Sequence, residues 1–252
     1  MRLLILADVH GNLEALEVCL KAAGEWDLLV NLGDTVGYGA DPDAVIERLR
    51  PFDGIRLRGN HDHAVLDPKL QESFNPVALQ AVQWTRTTLT PGNREWLAKL
   101  SIGPVEDARL RGTQFVHGSP ADEDEYILSM PAAQRVLLGS SMQIIFFGHT
   151  HFQGAVELRD GELHSIRPSY DLQADTPQRC DLALEAESRY LINPGSVGQP
   201  RDGDWRLAFA LYDTDKRLVS FWRAPYDLQQ AQKKILAAGL PQRLAWRLGE
   251  GR

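Results

Sequence analysis

Cysteine is scarce in this chain: Cys19 and Cys180 are the only two among 252 residues. So few cannot build a disulfide scaffold, and the usage fits a reducing compartment, so the expected location is cytoplasmic. Long hydrophobic runs are lacking as well. No stretch approaches the roughly 20 apolar residues that span a bilayer. The apolar run from Leu3 to Ala7 is shorter than a signal-peptide core and leads at once into Asp8 and His10, so it reads as a buried strand. No membrane association is expected. An excess of positive charge is missing too: 27 Lys and Arg stand against 34 Asp and Glu, for a net charge of -7. Bulk nucleic-acid binding needs a basic footprint that this balance does not supply. Internal repeats and low-complexity tracts are absent. Hydrophobic residues at 43% and charged residues at 24% are ordinary globular values, which excludes disorder, collagen and a coiled coil.

What is present is an alternating pattern. At about 150 residues per domain, the length suits one or two domains, and a single domain over 1–252 is expected, with a C-terminal helical extension at about 226–252. Short apolar runs at 2–7, 27–32, 54–57, 113–116 and 143–147 read as strands. Between the first two, Leu13, Leu16, Leu20 and Ala23 recur at helical spacing, and helices are expected over 41–50, from Asn75-Pro76 and from Pro91. This alternation predicts α/β layering. The last third changes character, with short strands expected at 155–158, 163–167, 190–192, 205–212 and 218–223. Asp160-Gly161 between the first two of these predicts a hairpin. The segment 169–187 reads as an irregular loop, and amphipathic helices are expected over about 227–237 and 241–248. Leu228, Ile235 and Leu236 give the first of these an apolar side that serves its own sheet by default or a partner copy, so oligomerisation stays open.

The chemistry collects where the early strands end. The first ends in Asp8-Val9-His10-Gly11-Asn12, the second in Gly33-Asp34, the third in Gly59-Asn60-His61-Asp62, the fourth in His117-Gly118 and the fifth in Gly148-His149-Thr150-His151. In open α/β sheets, sites lie beyond the carboxyl ends of the strands. Each fragment alone is weak, because a lone histidine after a strand is commonly a packing residue and strand-end glycines serve turns. The ordered set is hard to obtain by accident. A mixed oxygen and imidazole set without thiolate suits Mn, Fe, Ni, Co or Zn in a catalytic role. One carboxylate between two histidine-bearing arms can bridge two cations, and two cations about 3.5–4 Å apart clamp a phosphoryl group and activate a water.

The order D-x-H, G-D, G-N-H-D, H and G-H-x-H resembles the calcineurin-like metallophosphoesterase family from residue 1 to about residue 151. A later segment, Asn193-Pro194-Gly195-Ser196-Val197-Gly198-Gln199-Pro200-Arg201, is similar to the small prokaryotic phosphodiesterase branch and extends the resemblance to about Tyr212. The resemblance implies an α/β fold, a four-layer α-β-β-α sandwich of two mixed sheets flanked by helices. It implies two divalent metal ions, manganese first among the candidates. Asp8, His10 and His151 would hold one and Asn60, His117 and His149 the other, with Asp34 as the bridge. His61 would stand beside the phosphate, held by Asp62, and those two are the catalytic candidates. The implied reaction is hydrolysis of a small phosphate ester, a phosphodiester first of all, by a hydroxide bridging both metals. Proton donation from His61 to the leaving oxygen would be worth roughly 10²–10⁴-fold. Two divalent cations also reverse the local sign of charge, so an acidic protein can attract a phosphate.

Departures from the family pattern narrow this. Protein phosphatases of the superfamily follow Gly-Asp with Val-Asp and a phosphate-gripping arginine, whereas Gly33-Asp34-Thr35-Val36-Gly37-Tyr38-Gly39 has none. A trafficking-scaffold branch has lost metal ligands, and every ligand type is retained here. A nucleotide or dinucleoside polyphosphate hydrolase, a protein phosphatase and a low-activity scaffold remain the alternatives. Asp62 also reads as a helix cap, His63 and His164 as ordinary structural histidines, and Gly37-Tyr38-Gly39 as a substrate loop or a plain turn. Asn193 and Arg201 are candidates to approach the site, and no substrate-binding residue is assigned. Trp84, Trp96, Trp205 and Trp222 read as packing residues.

Overall fold

Strand β1 (Arg2–Leu6) is apolar on both faces, and its side chains alternate between two separate cores. Leu4 and Leu6 enter a cluster shared with helices, whereas Leu3 and Ile5 enter a cluster shared with a second sheet. The computed structural model describes the backbone of residues 1–252 and all side chains except those of Gln71, Glu72 and Ser73. After β1 comes α1 (Leu13–Ala23), begun where the Asn12 side chain accepts the Ala15 N–H at 3.1 Å. Then follow β2 (Leu28–Asn31), α2 (Pro42–Leu49), β3 (Gly54–Arg56) and α3 (Asn60–Leu66). A 3-10 turn (Pro68–Ser73) leads to α4 (Pro76–Thr88) and α5 (Pro91–Leu97). Proline opens α2, α4 and α5 at a position where its missing N–H costs nothing.

The chain then passes through β4 (Val105–Glu106), β5 (Thr113–Phe115), α6 (Met130–Gly139) and β6 (Ile144–Phe146). Six strands and two helices complete it: β7 (Gly154–Arg159), β8 (Glu162–Ile166), β9 (Gln178–Ala183), β10 (Arg189–Asn193), β11 (Leu207–Asp213), β12 (Leu218–Ala224), α7 (Leu228–Ala237) and α8 (Gln242–Glu250). Two mixed sheets result, ordered β3-β2-β1-β11-β12-β9 and β4-β5-β6-β10-β7-β8. β1, β2 and β3 are parallel, as are β5, β6 and β10, while β11 runs antiparallel to β1 and β7 antiparallel to β10.

Three cores separate four layers. Helices α1 to α5, α7 and α8 bury Leu16, Val45, Val65, Val82, Leu97, Ile235 and Leu244 against the outer face of the first sheet. The inner faces meet through Ile5, Val30, Phe115, Phe146, Tyr190 and Phe221. On the far face, α6 covers Ile145, Phe147 and Leu191 with Ala133 and Leu137. The expected four-layer sandwich is therefore the observed fold. The hairpin at Asp160-Gly161 joins β7 to β8, and both turn residues have positive φ, 51° and 82°, as a tight two-residue turn requires. One expectation is overturned: 169–187 is not loop throughout, because β9 pairs with β12 as an edge strand. Its exposed alternate positions carry Arg179 and Asp181, which hides the strand pattern. No helix among the described residues is long and apolar enough to cross a membrane.

Candidate metal centre

The carboxyl ends of β1, β2, β3, β5 and β6 converge, and their loops are laced together by main-chain hydrogen bonds. The Asp8 N–H donates to Gly33 O at 3.0 Å, the His10 N–H to Asp34 O at 2.9 Å and the Gly148 N–H to His117 O at 2.9 Å. The His149 N–H donates to Asp8 Oδ1 at 3.2 Å and so ties one sheet's loop to the other's. Asp8, His10, Asp34, His149 and His151 all sit at positive φ, between 48° and 65°. That region costs a non-glycine residue on the order of 1–3 kcal/mol, and such strain clusters at functional sites. Gly59 belongs here because a Cβ at that position would collide with Asp34 Oδ1.

Two buried groups of ligand-type atoms share Asp34: Asp8, His10, Asp34 and His151, and Asp34, His117 and His149, each with its atoms within 4.8 Å of one another. The site residues expected from the sequence are thus brought together. Asn60 joins the second group, its Oδ1 at 3.4 Å from His117 Nε2. Asp34 Oδ2 lies 3.6 Å from His10 Nε2 and 3.5 Å from His117 Nε2. His151 Nε2 lies 3.4 Å from Asp8 Oδ1.

Tautomers follow from the neighbours. Nδ1 of His10, His117 and His151 meets the carbonyl oxygens of Val36, Leu32 and Gln199 at 3.1, 2.9 and 2.6 Å. A carbonyl only accepts, so each Nδ1 carries the hydrogen and each Nε2 turns inward. His149 is reversed: its Nε2 donates to Asp124 O at 3.2 Å, leaving Nδ1 for the centre. The Nε2 atoms of His10 and His151 then stand 3.2 Å apart. Asp8 Oδ2 is buried without a hydrogen-bond partner among the described residues. Lone pairs turned on one another beside an orphaned carboxylate oxygen fit a site built for cations.

Burial dominates the charges. It lifts the Asp8 carboxyl to about 7, aided by Asp34 and opposed by His117. It drives His10 and His151 well below the imidazole range, His61 to about 4 and, with the charge on His117, His149 to about 3. His117 is the exception: burial lowers it, but Asp34 and Asp8 outweigh that and lift it to about 9. Asp34 correspondingly stays well below the carboxylate range, because His117 and His61 overcome its burial.

The expectation that Asp62 holds His61 is corrected. Asp62 accepts the main-chain N–H groups of Thr35, Val36 and Gly59 at 3.2, 3.0 and 3.2 Å, while His61 Nδ1 has no hydrogen-bond partner among the described residues. Adjacent residues on a helix do not face each other. The His61 ring is instead wedged between Tyr38 and Phe74, with centroids at 4.3 and 4.9 Å, while the main-chain N–H of His61 donates to Asp34 Oδ1 at 2.9 Å. Asn193 buttresses the site: its side chain donates to Gly148 O at 2.9 Å and meets Thr150 Oγ1 at 3.0 Å. A cavity of about 290 Å³ opens beside Asn60, His61 and His149 and is walled by Phe74, Ala78 and Tyr126. Tyr126 stacks on His149 at 3.8 Å between centroids. Sequence reasoning missed Phe74 and Tyr126, neither of which stands in a motif.

Comparison with known proteins agrees with this geometry. The profile of the calcineurin-like phosphoesterase family matches residues 1–153. An uncharacterized protein of Methanocaldococcus jannaschii, MJ0912, is 30% identical over 98% of this chain and 97% of its own length. The crystal structure of a metallophosphoesterase from Sphaerobacter thermophilus superposes with a TM-score of 0.83 at 35% identity, covering 100% of this chain and 99% of that one. The hypothetical protein PH1004 of Pyrococcus horikoshii OT3 shares the fold, with a TM-score of 0.78 at 21% identity, 100% of this chain and 98% of that one being covered. With this match and with a buried His/Asp cluster at four strand ends, the chain belongs to the calcineurin-like phosphoesterase family of metal-dependent phosphoesterases.

Proposed function

We propose that this chain hydrolyses phosphate esters, phosphodiesters first among them, with two divalent ions for which manganese is the leading candidate. The observation that carries this reading is the inward-turned donor set, in which Nε2 of His10 and His151 stand 3.2 Å apart with no hydrogen between them. Asp8, His10, His151 and Asp34 would hold one ion, and Asp34, Asn60, His117 and His149 the other. When bound, such a pair supplies a nucleophile from water at neutral pH and neutralises the phosphoryl oxygens. The chain's own groups do the rest. The His61 N–H keeps Asp34 in position between the two donor groups. The His61 ring is neutral at neutral pH and borders the cavity; with Nδ1 buried against Gly37, its Nε2 is the atom that hydrogen-bonds an oxygen of the substrate. An anionic phosphate alongside favours its charged form and makes it a proton donor to the leaving oxygen. The lack of an arginine after Asp34 favours diesters over phosphoproteins. A reducing compartment, the cytoplasm, is the proposed location, in keeping with two free cysteines.

Metal-loaded protein and a panel of aryl diesters, aryl monoesters and nucleotides test the proposal. Hydrolysis is expected on the diester first, to be abolished by chelator and by Asp34→Asn, and elemental analysis should find about two equivalents of metal. Binding of less than one equivalent, with no substrate turned over, would identify a scaffold instead.

A further inference from the structure

Two guanidinium groups approach one side of the ligand cluster, and no side-chain carboxylate among the described residues pairs with them. Arg201 follows the Asn193 loop, and Arg247 comes from the last turn of α8. Both lie over the ring of Tyr38, at 5.9 and 5.5 Å from guanidinium carbon to ring centroid. Tyr38 in turn packs on His61 and His10 at 4.3 and 4.6 Å, so a single aromatic ring separates the arginines from the cluster. The Arg201 N–H is tied to His151 O at 3.3 Å, and its Nη2 donates to Tyr38 Oη at 3.4 Å and Gln199 Oε1 at 3.5 Å. Its Nε is buried with no partner among the described residues. Arg247 spends its Nε on the main-chain oxygen of Arg252 at 2.5 Å.

Other arginines of this chain are treated differently. Arg58, Arg206 and Arg223 each meet a carboxylate, on Glu123, Asp204 and Asp202. Arg201 and Arg247 are half-buried and meet each other's charge; burial and Arg201 together lower Arg247. Like charges held together away from bulk water are unfavourable until an anion joins them. Once two divalent ions are seated, Asp8 and Asp34 cannot balance the site, and the arginines add to the surplus. A guanidinium fork suits a phosphate, which it can grip through two parallel hydrogen bonds. The arginines do not themselves line the cavity beside Asn60 and His149, but Tyr38, over which both lie, borders it. The arginine pair and the cavity thus adjoin across the Tyr38 ring.

We propose that Arg201 and Arg247, together with the Tyr38 hydroxyl, form an anion subsite beside the metal centre, and that the substrate is a phosphate ester carrying a second phosphate group next to the one that reacts. This rests on the phosphoesterase reading and specifies its substrate class. The second phosphate seats on the arginine pair, and the organic part of the substrate lies in the cavity walled by Phe74, Ala78 and Tyr126.

Two p-nitrophenyl nucleoside diesters that differ only by one added phosphate on the sugar provide the test. In the wild-type enzyme the added phosphate should raise kcat/KM by roughly ten-fold, chiefly through KM, as one charge-assisted contact is worth. In R247Q and in R201Q the ratio should fall toward unity. R247K, which keeps the charge and loses the fork, should give an intermediate ratio and serves if the glutamine variant does not fold. A second readout needs no turnover: inorganic pyrophosphate should raise the melting temperature of metal-free wild-type protein and fail to do so for R247Q. Equal ratios in wild type and R247Q, or a pyrophosphate shift that survives the substitution, overturn the subsite. If neither diester is cleaved by any variant, the phosphoesterase reading fails, and the melting experiment still decides whether the anion subsite exists.

Discussion

Neither Nε2 of His10 nor that of His151 bears a hydrogen, because each ring donates from Nδ1 to a main-chain carbonyl. Their separation of 3.2 Å therefore sets two lone pairs against each other, and the backbone that holds them is itself in the left-handed region. A cation between them relieves repulsion that the fold otherwise has to bear, so metal binding contributes to stability as well as to reactivity. A ligand at about 100 times its Kd adds about 2.7 kcal/mol to folding. For a chain of this length that corresponds to a rise in Tm of roughly 5–10 °C. Scanning calorimetry with and without chelator measures it, and an unchanged Tm would contradict the metal-centre assignment. At the same scale, His117 and Asp34 form an ion pair in the metal-free protein, which explains why one histidine of the cluster is raised while its neighbours are lowered.

At the scale of elements, the first turn of α3 divides two tasks between adjacent residues. Asp62 points back into the loop after β2 and satisfies three main-chain N–H groups, while His61 points toward the cavity side with Tyr38 and Phe74. Asp62→Asn should therefore cost stability, about 1–3 kcal/mol for each main-chain group left without a strong acceptor. His61→Asn should cost less stability than Asp62→Asn, since no main-chain group depends on its ring, and reduce hydrolysis by roughly 10²–10⁴-fold. Urea unfolding and steady-state kinetics on both variants check this, and a reversed pattern contradicts it. The candidate ligands were legible in the sequence because each follows an apolar run with a polar strand end, and the order of those ends survives as spatial neighbours. The cap role of Asp62 was legible too, and its side chain accepts the Gly59 N–H at the start of α3; that it turns away from His61 was not, since adjacency in sequence on a helix means divergence in space. The strand β9 was hidden because its exposed positions hold Arg179 and Asp181, and α6 because its covered face relies on Ala132 and Ala133 beside Val136 and Leu137. Arg247 carried no signal at all: its approach to Tyr38 depends on how α8 docks, which no local pattern encodes.

At the scale of the whole molecule, a buried ion pair fastens a connecting segment to the first sheet. Arg206, only 1% exposed, meets Asp204 through Nε to Oδ1 at 2.9 Å and Nη2 to Oδ2 at 2.7 Å, and donates to Asp171 O at 3.0 Å. Burial would lift the Asp204 carboxyl, but Arg206 and Arg223 outweigh it and hold it below the usual carboxylate range. A carboxyl lowered on folding stabilises the protein above its unfolded pKa, and that contribution is lost as pH falls through the folded value. Acid unfolding should therefore be less steep in Asp204→Asn, which is also less stable at neutral pH by about 3 kcal/mol or more. Denaturation series from neutral to strongly acid pH measure both effects.

The strand order carries a consequence for the boundaries of the folding unit. All seven candidate ligands lie before Gln153, yet β11 sits against β1, and β10 against β6. A fragment ending at residue 153 would keep every coordinating side chain and lose the central staves of both sheets, leaving raw edges where β1 and β6 now find neighbours. Catalytic inventory and autonomous folding are thus decoupled along the polypeptide, and we propose that residues 1–252 form one indivisible domain: in each sheet the late-synthesised strands cover the flank that the early ones leave open.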